Sequence, residues 1–90
     1  MRLKAKRDGN EAEIVAALVA VGATVSQLND PALPDLLVGY KGWNILMEIK
    51  GKKRGKLTPA QKRWHETWRG QVEVVRSVEE VLAMIGFMEY

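Results

Sequence analysis

Four apolar side chains recur at helical spacing near the start of the chain and predict a helix over residues 9–21. They are Ile14, Val15, Leu18 and Val21. Gly22 is the expected end of this helix, because glycine readily adopts the left-handed conformation that closes helices. A short strand is predicted directly after it, over residues 23–28.

Two runs of branched and aromatic residues, 34–40 and 43–50, predict a β-hairpin. The residues between them, Lys41 and Gly42, form a two-residue loop of the kind that joins antiparallel strands. Lys41 is not an ideal residue for such a turn, and a bulge would shift the strand register by one residue.

The second half of the chain predicts a helix, a strand and a further helix. Thr58 and Pro59 are typical of a helix start, and Gly70 ends this helix. Its apolar face is expected to carry Ala60, Trp64 and Trp68. Residues 71–76 predict a strand, and residues 77–85 a helix capped by Ser77. The order α-β-β-β-α-β-α predicts an α/β fold with a mixed β-sheet flanked by helices.

Composition narrows the class of protein. Ninety residues with 47% apolar content predict one globular domain over residues 1–90. The absence of cysteine excludes a disulfide framework and a thiolate metal site. No apolar run reaches the length of a membrane span, and no apolar signal core follows the basic start. We therefore expect a cytoplasmic protein with no membrane partner, and a domain this small would gain stability from dimerisation.

The net charge of +3 is modest, but the basic residues are concentrated in two clusters. The first comprises Arg2, Lys4, Lys6 and Arg7, and the second comprises Lys50, Lys52, Lys53, Arg54 and Lys56. Basic clusters of this kind contact phosphates in nucleic-acid-binding proteins. The alternative is a solubilising tail and a solvated loop.

The predicted hairpin register brings two carboxylates together. If Tyr40 faces Trp43 across the loop, Asp35 lies directly opposite Glu48. Lys50 projects from the same face as Glu48, because side chains alternate along a strand. Facing Cβ atoms lie about 5 Å apart, so two carboxylates there repel and need a proton or a cation between them. The pattern predicts a metal-dependent phosphodiesterase site. The alternative is a strand-end acid and a solvent-facing acid.

Glu11 and Gln61 each allow two interpretations. Glu11 shares the core-facing side of the first helix and could point at the sheet, but Asp8 and Glu11 also have the spacing of a capping box. Glu13 is a weaker candidate, offset from the apolar face. Thr58 and Gln61 have capping-box spacing as well, so Gln61 could only close the helix start.

Other side chains are given structural roles. His65 is the only histidine, and a surface or satisfied position is expected for it. Trp43, Trp64 and Trp68 are expected to pack, with base stacking as the less favoured role. No nucleophile elbow and no phosphate-binding glycine loop is present, which disfavours a serine hydrolase and a nucleoside triphosphatase.

The motif Pro34-Asp35 followed by Glu48-Ile49-Lys50 resembles the PD-(D/E)xK motif of restriction-endonuclease-like nucleases. Three surrounding features are similar to the VRR-NUC branch and, more distantly, to archaeal-type Holliday-junction resolvases. They are the helix bearing Glu11, the helix start 57–61, and the strand 72–75. The resemblance covers nearly the whole chain, and it is strongest to small stand-alone versions from bacteriophages and prophages.

The resemblance implies a set of site residues. Glu11, Asp35, Glu48 and the backbone carbonyl of Ile49 would bind Mg²⁺ or Mn²⁺, and these hard oxygen ligands suit Mg²⁺. Lys50 would orient or activate the attacking water, and a second-helix glutamine, here Gln61, would support the site. Phosphates of DNA would be contacted by the basic loop residues Lys52, Lys53, Arg54 and Lys56.

The expected function is therefore a Mg²⁺-dependent DNA endonuclease with a restriction-endonuclease-like core. It would act as a homodimer on structured or duplex DNA of the junction, flap or nicking type. We expect it in the cytoplasm of a bacterial or phage-infected cell, and we expect no organic cofactor. An alternative is a catalytically silent nucleic-acid-binding module with the same fold. A plain helix-on-sheet interaction domain would leave the opposed carboxylates unexplained.

Overall fold

A computed structural model describes residues 9–51 and 55–88 of the chain. Within these residues the helices and strands follow the predicted order α-β-β-β-α-β-α. They are α1 (Glu11–Ala20), β1 (Thr24–Gln27), β2 (Leu36–Tyr40), β3 (Trp43–Ile49), α2 (Pro59–Thr67), β4 (Val72–Val75) and α3 (Val78–Gly86). Most lie within about two residues of their predicted bounds, the usual uncertainty of element ends. The exception is α2, which ends at Thr67, three residues before the predicted end at Gly70.

The strands form one mixed sheet in the order β1-β2-β3-β4. β2 pairs antiparallel with β1 and with β3, whereas β4 runs parallel to β3. Parallel neighbours need a crossover connection, and α2 supplies it. Tyr40 pairs with Trp43 and Leu36 with Met47, so the predicted hairpin register is confirmed.

The hairpin turn is built from two residues with positive φ. Lys41 has φ of 48° and Gly42 has φ of 83°. Two-residue hairpin loops of type I′ need positive φ at both positions, which glycine adopts freely and lysine does not. The turn therefore forms without a bulge despite an unfavourable residue at Lys41.

One face of the sheet carries the hydrophobic core under α1 and α3. The buried apolar side chains alternate along β2 and β3, as expected for a sheet with one core face, whereas the buried Glu48 lies on the opposite face. The core comprises Ile14, Leu18, Ala23, Leu36, Val38, Ile45, Met47, Ile49, Val75, Val81 and Ile85. Val21, predicted for the apolar face of the first helix, is instead 41% exposed. It lies beyond the last helical residue, Ala20, where the helical periodicity no longer applies.

The other face of the sheet is only partly covered, by α2. No residue of α2 is buried, and Trp68 lies one position beyond the last helical residue, Thr67, so the expected apolar face carries Ala60 and Trp64 but lies outside the core. Trp64 and Trp68 stack on each other with ring centroids 4.8 Å apart, and Trp68 remains 43% exposed. They line an open apolar groove with Leu37 and Leu46 of the sheet. Trp43 is also partly exposed, so the predicted packing is clearest for the stacked pair Trp64 and Trp68.

Both later helices begin with the predicted caps. The Thr58 hydroxyl accepts a hydrogen bond from the Gln61 N–H, and the Ser77 hydroxyl accepts one from the Glu80 N–H. Such caps satisfy backbone donors that have no partner inside the helix. No helix in the described parts of the chain is long and apolar enough to cross a membrane.

Candidate active site

The two acids of the motif are buried at the adjoining ends of β2 and β3. Asp35 is 8% exposed and Glu48 is 2% exposed. Asp35 lies one residue before the pair Leu36–Met47, so the confirmed register continues to Asp35 beside Glu48. The Ile49 N–H donates a hydrogen bond of 2.8 Å to Asp35 Oδ2. A bond to a backbone donor stabilises the ionised carboxylate and fixes its position.

Lys50 is ion-paired with Glu48, one acid of this pair. Its Nζ lies 3.8 Å from Glu48 Oε2, and both side chains are largely buried. The backbone N–H of Lys50 donates to the Val75 carbonyl at 3.0 Å, which extends the pairing of β3 and β4 beyond Ile49. The parallel strand therefore fixes the backbone from which Lys50 projects.

Gln61 caps its helix and contacts the acid pair with one side-chain amide. Its Oε1 accepts a 2.9 Å hydrogen bond from the Thr58 N–H and completes the capping box. Its Nε2 donates a 3.4 Å hydrogen bond to Glu48 Oε2, the same oxygen that faces Lys50. The helix start thus orients an amide donor toward the carboxylate.

Glu11 is buried at the first position of α1, with Asn10 as the N-cap residue. A capping-box acid stands at the third helical position, so this arrangement does not support that role for Glu11. The expected cap, Asp8, lies outside the described residues. The Glu11 carboxylate accepts a 2.6 Å hydrogen bond from Gln27 Nε2 of β1. Glu13, the rival candidate, is exposed.

Asn10 contacts the backbone of the candidate site, a role that the sequence did not reveal. Its side-chain Nδ2 donates to the Lys50 carbonyl at 3.2 Å and to the Arg76 carbonyl at 2.9 Å. One amide therefore joins the start of α1 to the residues that follow β3 and β4. The available sequence signal, an asparagine before a helix, indicates only a cap, and Asn10 makes no side-chain cap bond.

His65, for which the sequence predicts a surface or satisfied role, lies in the electrostatic field of the site. Burial and, secondarily, the positive charge of Lys50 lower the pKa of His65 below its ordinary value. Its ring meets the Trp64 ring edge-on, with centroids 5.6 Å apart. No pattern around a single histidine could have indicated this pKa shift, because it depends on how α2 crosses the sheet.

The oxygen atoms of the candidate site suit a hard divalent cation, but the three predicted acids do not all lie together. Carboxylate and carbonyl oxygens are the ligands that Mg²⁺ prefers. The single positive charge of Lys50 does not neutralise both carboxylates, so the pair can still attract a cation. Among residues 9–51 and 55–88, however, no three His, Cys, Asp or Glu side chains could hold one ion. The structure therefore assembles Asp35, Glu48, Lys50 and Gln61, while Glu11 is anchored separately through Gln27.

Most of the predicted DNA-contacting loop is not described. Lys52, Lys53 and Arg54 lie outside the described residues, whereas Lys56 is exposed. Gly51, where the described part of the loop begins, accepts a 3.0 Å hydrogen bond from Arg76 Nη1. The point at which the basic loop leaves β3 is thus tied to the end of β4.

No family model matches the sequence, and no curated protein matches it. A solved structure described as a VRR_NUC domain does match, with a TM-score of 0.72 and 28% sequence identity. The match covers 91% of this chain and 100% of the other. The chain therefore has a nuclease-type fold, and the resemblance to the VRR-NUC nucleases that the motifs predict is confirmed.

Proposed function

We propose that this protein is a metal-dependent endonuclease that hydrolyses phosphodiester bonds in DNA. The observation that carries the proposal is the buried pair of Asp35 and Glu48 with Lys50 ion-paired to Glu48, on a VRR_NUC-type fold. Burying like charges is costly, so a fold that keeps them has a use for a cation there.

The cofactor we propose is Mg²⁺ or Mn²⁺, bound by Asp35, Glu48 and the Ile49 carbonyl. When bound, such an ion polarises a phosphate and favours formation of a hydroxide nucleophile. Glu11 would join this set, directly or through water, from the start of α1. Its burial and its place at a helix N-terminus both suit a negatively charged group that must remain fixed.

The remaining site residues would act on the substrate and on one another. Lys50 would orient the attacking water and neutralise charge at the phosphate. Gln61 would hold Glu48 Oε2 in place, and Asn10 would hold the Lys50 backbone. Positioning of this kind contributes to rate because small displacements of reacting groups are costly.

The substrate we propose is duplex or structured DNA, such as junctions, flaps or nicked sites. The basic loop residues Lys52, Lys53, Arg54 and Lys56 continue directly from Lys50, so phosphates bound there would lie next to the acid pair. Cleaving both strands of a duplex requires two sites, which favours a homodimer.

Titration of Mg²⁺ or Mn²⁺ into mixtures of the protein with duplex, forked and four-way DNA tests this function. We expect cleavage that requires the metal and is lost in Glu48→Gln. Glu11→Gln should fold normally, since glutamine can still accept from Gln27, yet lose most activity because it removes negative charge. The matched variant Glu13→Gln changes an exposed acid and should remain active. Equal activity of Glu11→Gln and Glu13→Gln would remove Glu11 from the metal site.

One observation favours the silent nucleic-acid-binding module as the second candidate. In the described residues, no three acidic or histidine side chains are placed to hold a metal together. A silent module would bind DNA with the same affinity in Mg²⁺ as in EDTA and would cleave none of the substrates. It would also keep its full affinity in Glu48→Gln.

A further inference from the structure

The backbone of Lys50 is held on both sides where it leaves the sheet. Its N–H donates to the Val75 carbonyl at 3.0 Å, and its carbonyl accepts from Asn10 Nδ2 at 3.2 Å. The next carbonyl, that of Gly51, accepts from Arg76 Nη1 at 3.0 Å. Three hydrogen bonds thus fix the backbone at positions 50 and 51. The direction of the Lys50 side chain then depends on what lies against its first carbon atom, Cβ.

Gly55 packs directly against this part of Lys50. A Cβ atom placed on Gly55 would lie 2.6 Å from the backbone nitrogen of Gly51 and 2.7 Å from Lys50 Cβ. Nonbonded carbon atoms prefer a separation of about 3.5–4.0 Å, so any side chain at position 55 would have to push the backbone aside. Glycine permits this close approach of two backbone segments because it has no Cβ.

The close approach restricts the orientations that the Lys50 side chain can take. A lysine side chain has a flexible stem of four carbons, with three staggered positions about each rotatable bond. Because Gly55 lies against Cβ, it occupies space that the stem would otherwise be free to enter. The Lys50 side chain is only 13% exposed, and its Nζ lies 3.8 Å from Glu48 Oε2. The enclosed stem therefore favours an ammonium that lies near Glu48.

We propose that Gly55 is a positioning residue whose bare backbone directs the Lys50 side chain toward Glu48 and the reacting phosphate. The catalytic part of this inference rests on the proposed nuclease function, whereas the packing of Gly55 against Lys50 does not. Arg76 supports the arrangement, because Gly51 cannot yield freely to a side chain at position 55 while its carbonyl is bound. A displaced Lys50 would no longer be aligned with the attacking water, and small displacements of reacting groups are costly.

Gly55→Ala and Gly51→Ala form a matched pair of variants for kinetics. Neither glycine has positive φ, so the backbone conformation at both positions suits alanine. A Cβ atom on Gly51 would meet no atom within 4 Å apart from its chain neighbours, in contrast to one on Gly55. We expect Gly55→Ala to lower kcat about ten- to a hundredfold with KM for DNA nearly unchanged. Gly51→Ala should retain the kcat of wild type.

A second comparison tests whether Gly55 acts through Lys50. In a Lys50→Met background, Gly55→Ala should have no further effect on the residual rate of cleavage, because the group that it positions is gone. An equal loss of kcat with and without Lys50 would overturn the proposal, as would equal activity of Gly55→Ala and Gly51→Ala. A raised KM with unchanged kcat would also overturn it, since it would assign Gly55 to DNA binding.

The packing is tested by NMR of the full chain, a measurement that needs no nuclease activity. We expect a nuclear Overhauser effect between the Gly55 Hα and Lys50 Hβ protons in wild type and in Gly51→Ala. Its absence from wild type would overturn the proposal, whatever the activity of Gly55→Ala. If the effect is present but wild type cleaves no DNA, the nuclease function fails together with the catalytic role of Gly55, and the packing stands. Thermal unfolding of each variant confirms that it is folded under the assay conditions.

Discussion

At the scale of single residues, the side-chain amide of Gln61 links local structure to chemistry. One end of the amide closes the helix start and the other end contacts Glu48. An amide is the only side chain of this length that can accept from a backbone N–H and donate to a carboxylate at once. Stability and activity at this position can therefore be separated by substitution.

Gln61→Glu should preserve the cap and damage the site. Glutamate also completes a capping box, so we expect the free energy of unfolding to change by less than about 1 kcal/mol. The new carboxylate cannot donate to Glu48 and repels it, so cleavage should fall at least about tenfold, as expected when one charged hydrogen bond is removed. Gln61→Ala should impair both properties. Measurement of urea unfolding and cleavage rate for both variants checks this, and full activity in Gln61→Glu would contradict it.

Lys41 offers a gain in stability at the hairpin turn. A left-handed conformation costs most residues about 1–2 kcal/mol, whereas asparagine tolerates it well. Lys41→Asn should therefore raise the free energy of unfolding by up to about 1 kcal/mol. Part of this gain is offset because Lys41 Nζ, 5.4 Å from the centre of the Tyr40 ring, makes a favourable cation–π interaction. Lys41→Val, with a branched side chain at the same φ, should destabilise the protein. Urea unfolding of wild type, Lys41→Asn and Lys41→Val gives the order of their stabilities directly.

At the scale of helices and strands, the hairpin could be predicted and the packing of α2 could not. The hairpin register follows from a two-residue loop and the alternation of side chains, which are local rules. The apolar pattern predicts a helix face with packed Trp64 and Trp68, but the helix ends at Thr67 and the two rings line an open groove. Periodicity shows which side of a helix is apolar, not whether that side is fully covered.

The helix α2 should also give the protein a pH-dependent stability through His65. The pKa of His65 in the folded protein lies below 6.5, so the unfolded chain binds protons more readily. The contribution of His65 to the free energy of unfolding is fully present above pH 6.5. It is lost as the pH falls from 6.5 to the pKa of His65 in the folded protein. Urea unfolding of wild type and His65→Gln between about pH 8 and about pH 5 isolates it. Relative to His65→Gln, the free energy of unfolding of wild type should fall at low pH. A difference in this free energy that stays constant with pH would contradict the prediction.

At the scale of the whole molecule, the site depends on hydrogen bonds that join distant parts of the chain. The acid pair and Lys50 could be predicted because they belong to one hairpin. The anchoring of Glu11 by Gln27 and the role of Asn10 could not, since both depend on how α1 meets the sheet. The sequence thus predicts the local part of the site and leaves its long-range supports unseen.

The whole-molecule charge distribution predicts how DNA binding responds to salt. If the basic loop binds phosphates, removing one such lysine should reduce the slope of log affinity against log salt by about 0.9. Lys52→Gln with Lys53→Gln should therefore weaken binding to duplex DNA and reduce the slope by about 1.8. Lys41→Gln with Lys62→Gln removes two exposed lysines elsewhere and serves as the control. An unchanged slope in the loop variant would show that Lys52 and Lys53 do not contact DNA phosphates.

The bonds from Asn10 also have a consequence for when the site can form. They join positions that lie 40 and 66 residues apart along the chain. Contacts of such long sequence separation form late in folding, after the entropy of closing long loops has been overcome. A chain emerging from the ribosome can complete its hairpin early, but Arg76 must emerge before Asn10 can bind both carbonyls. Assembly of the site is thereby delayed until most of the chain has been synthesised.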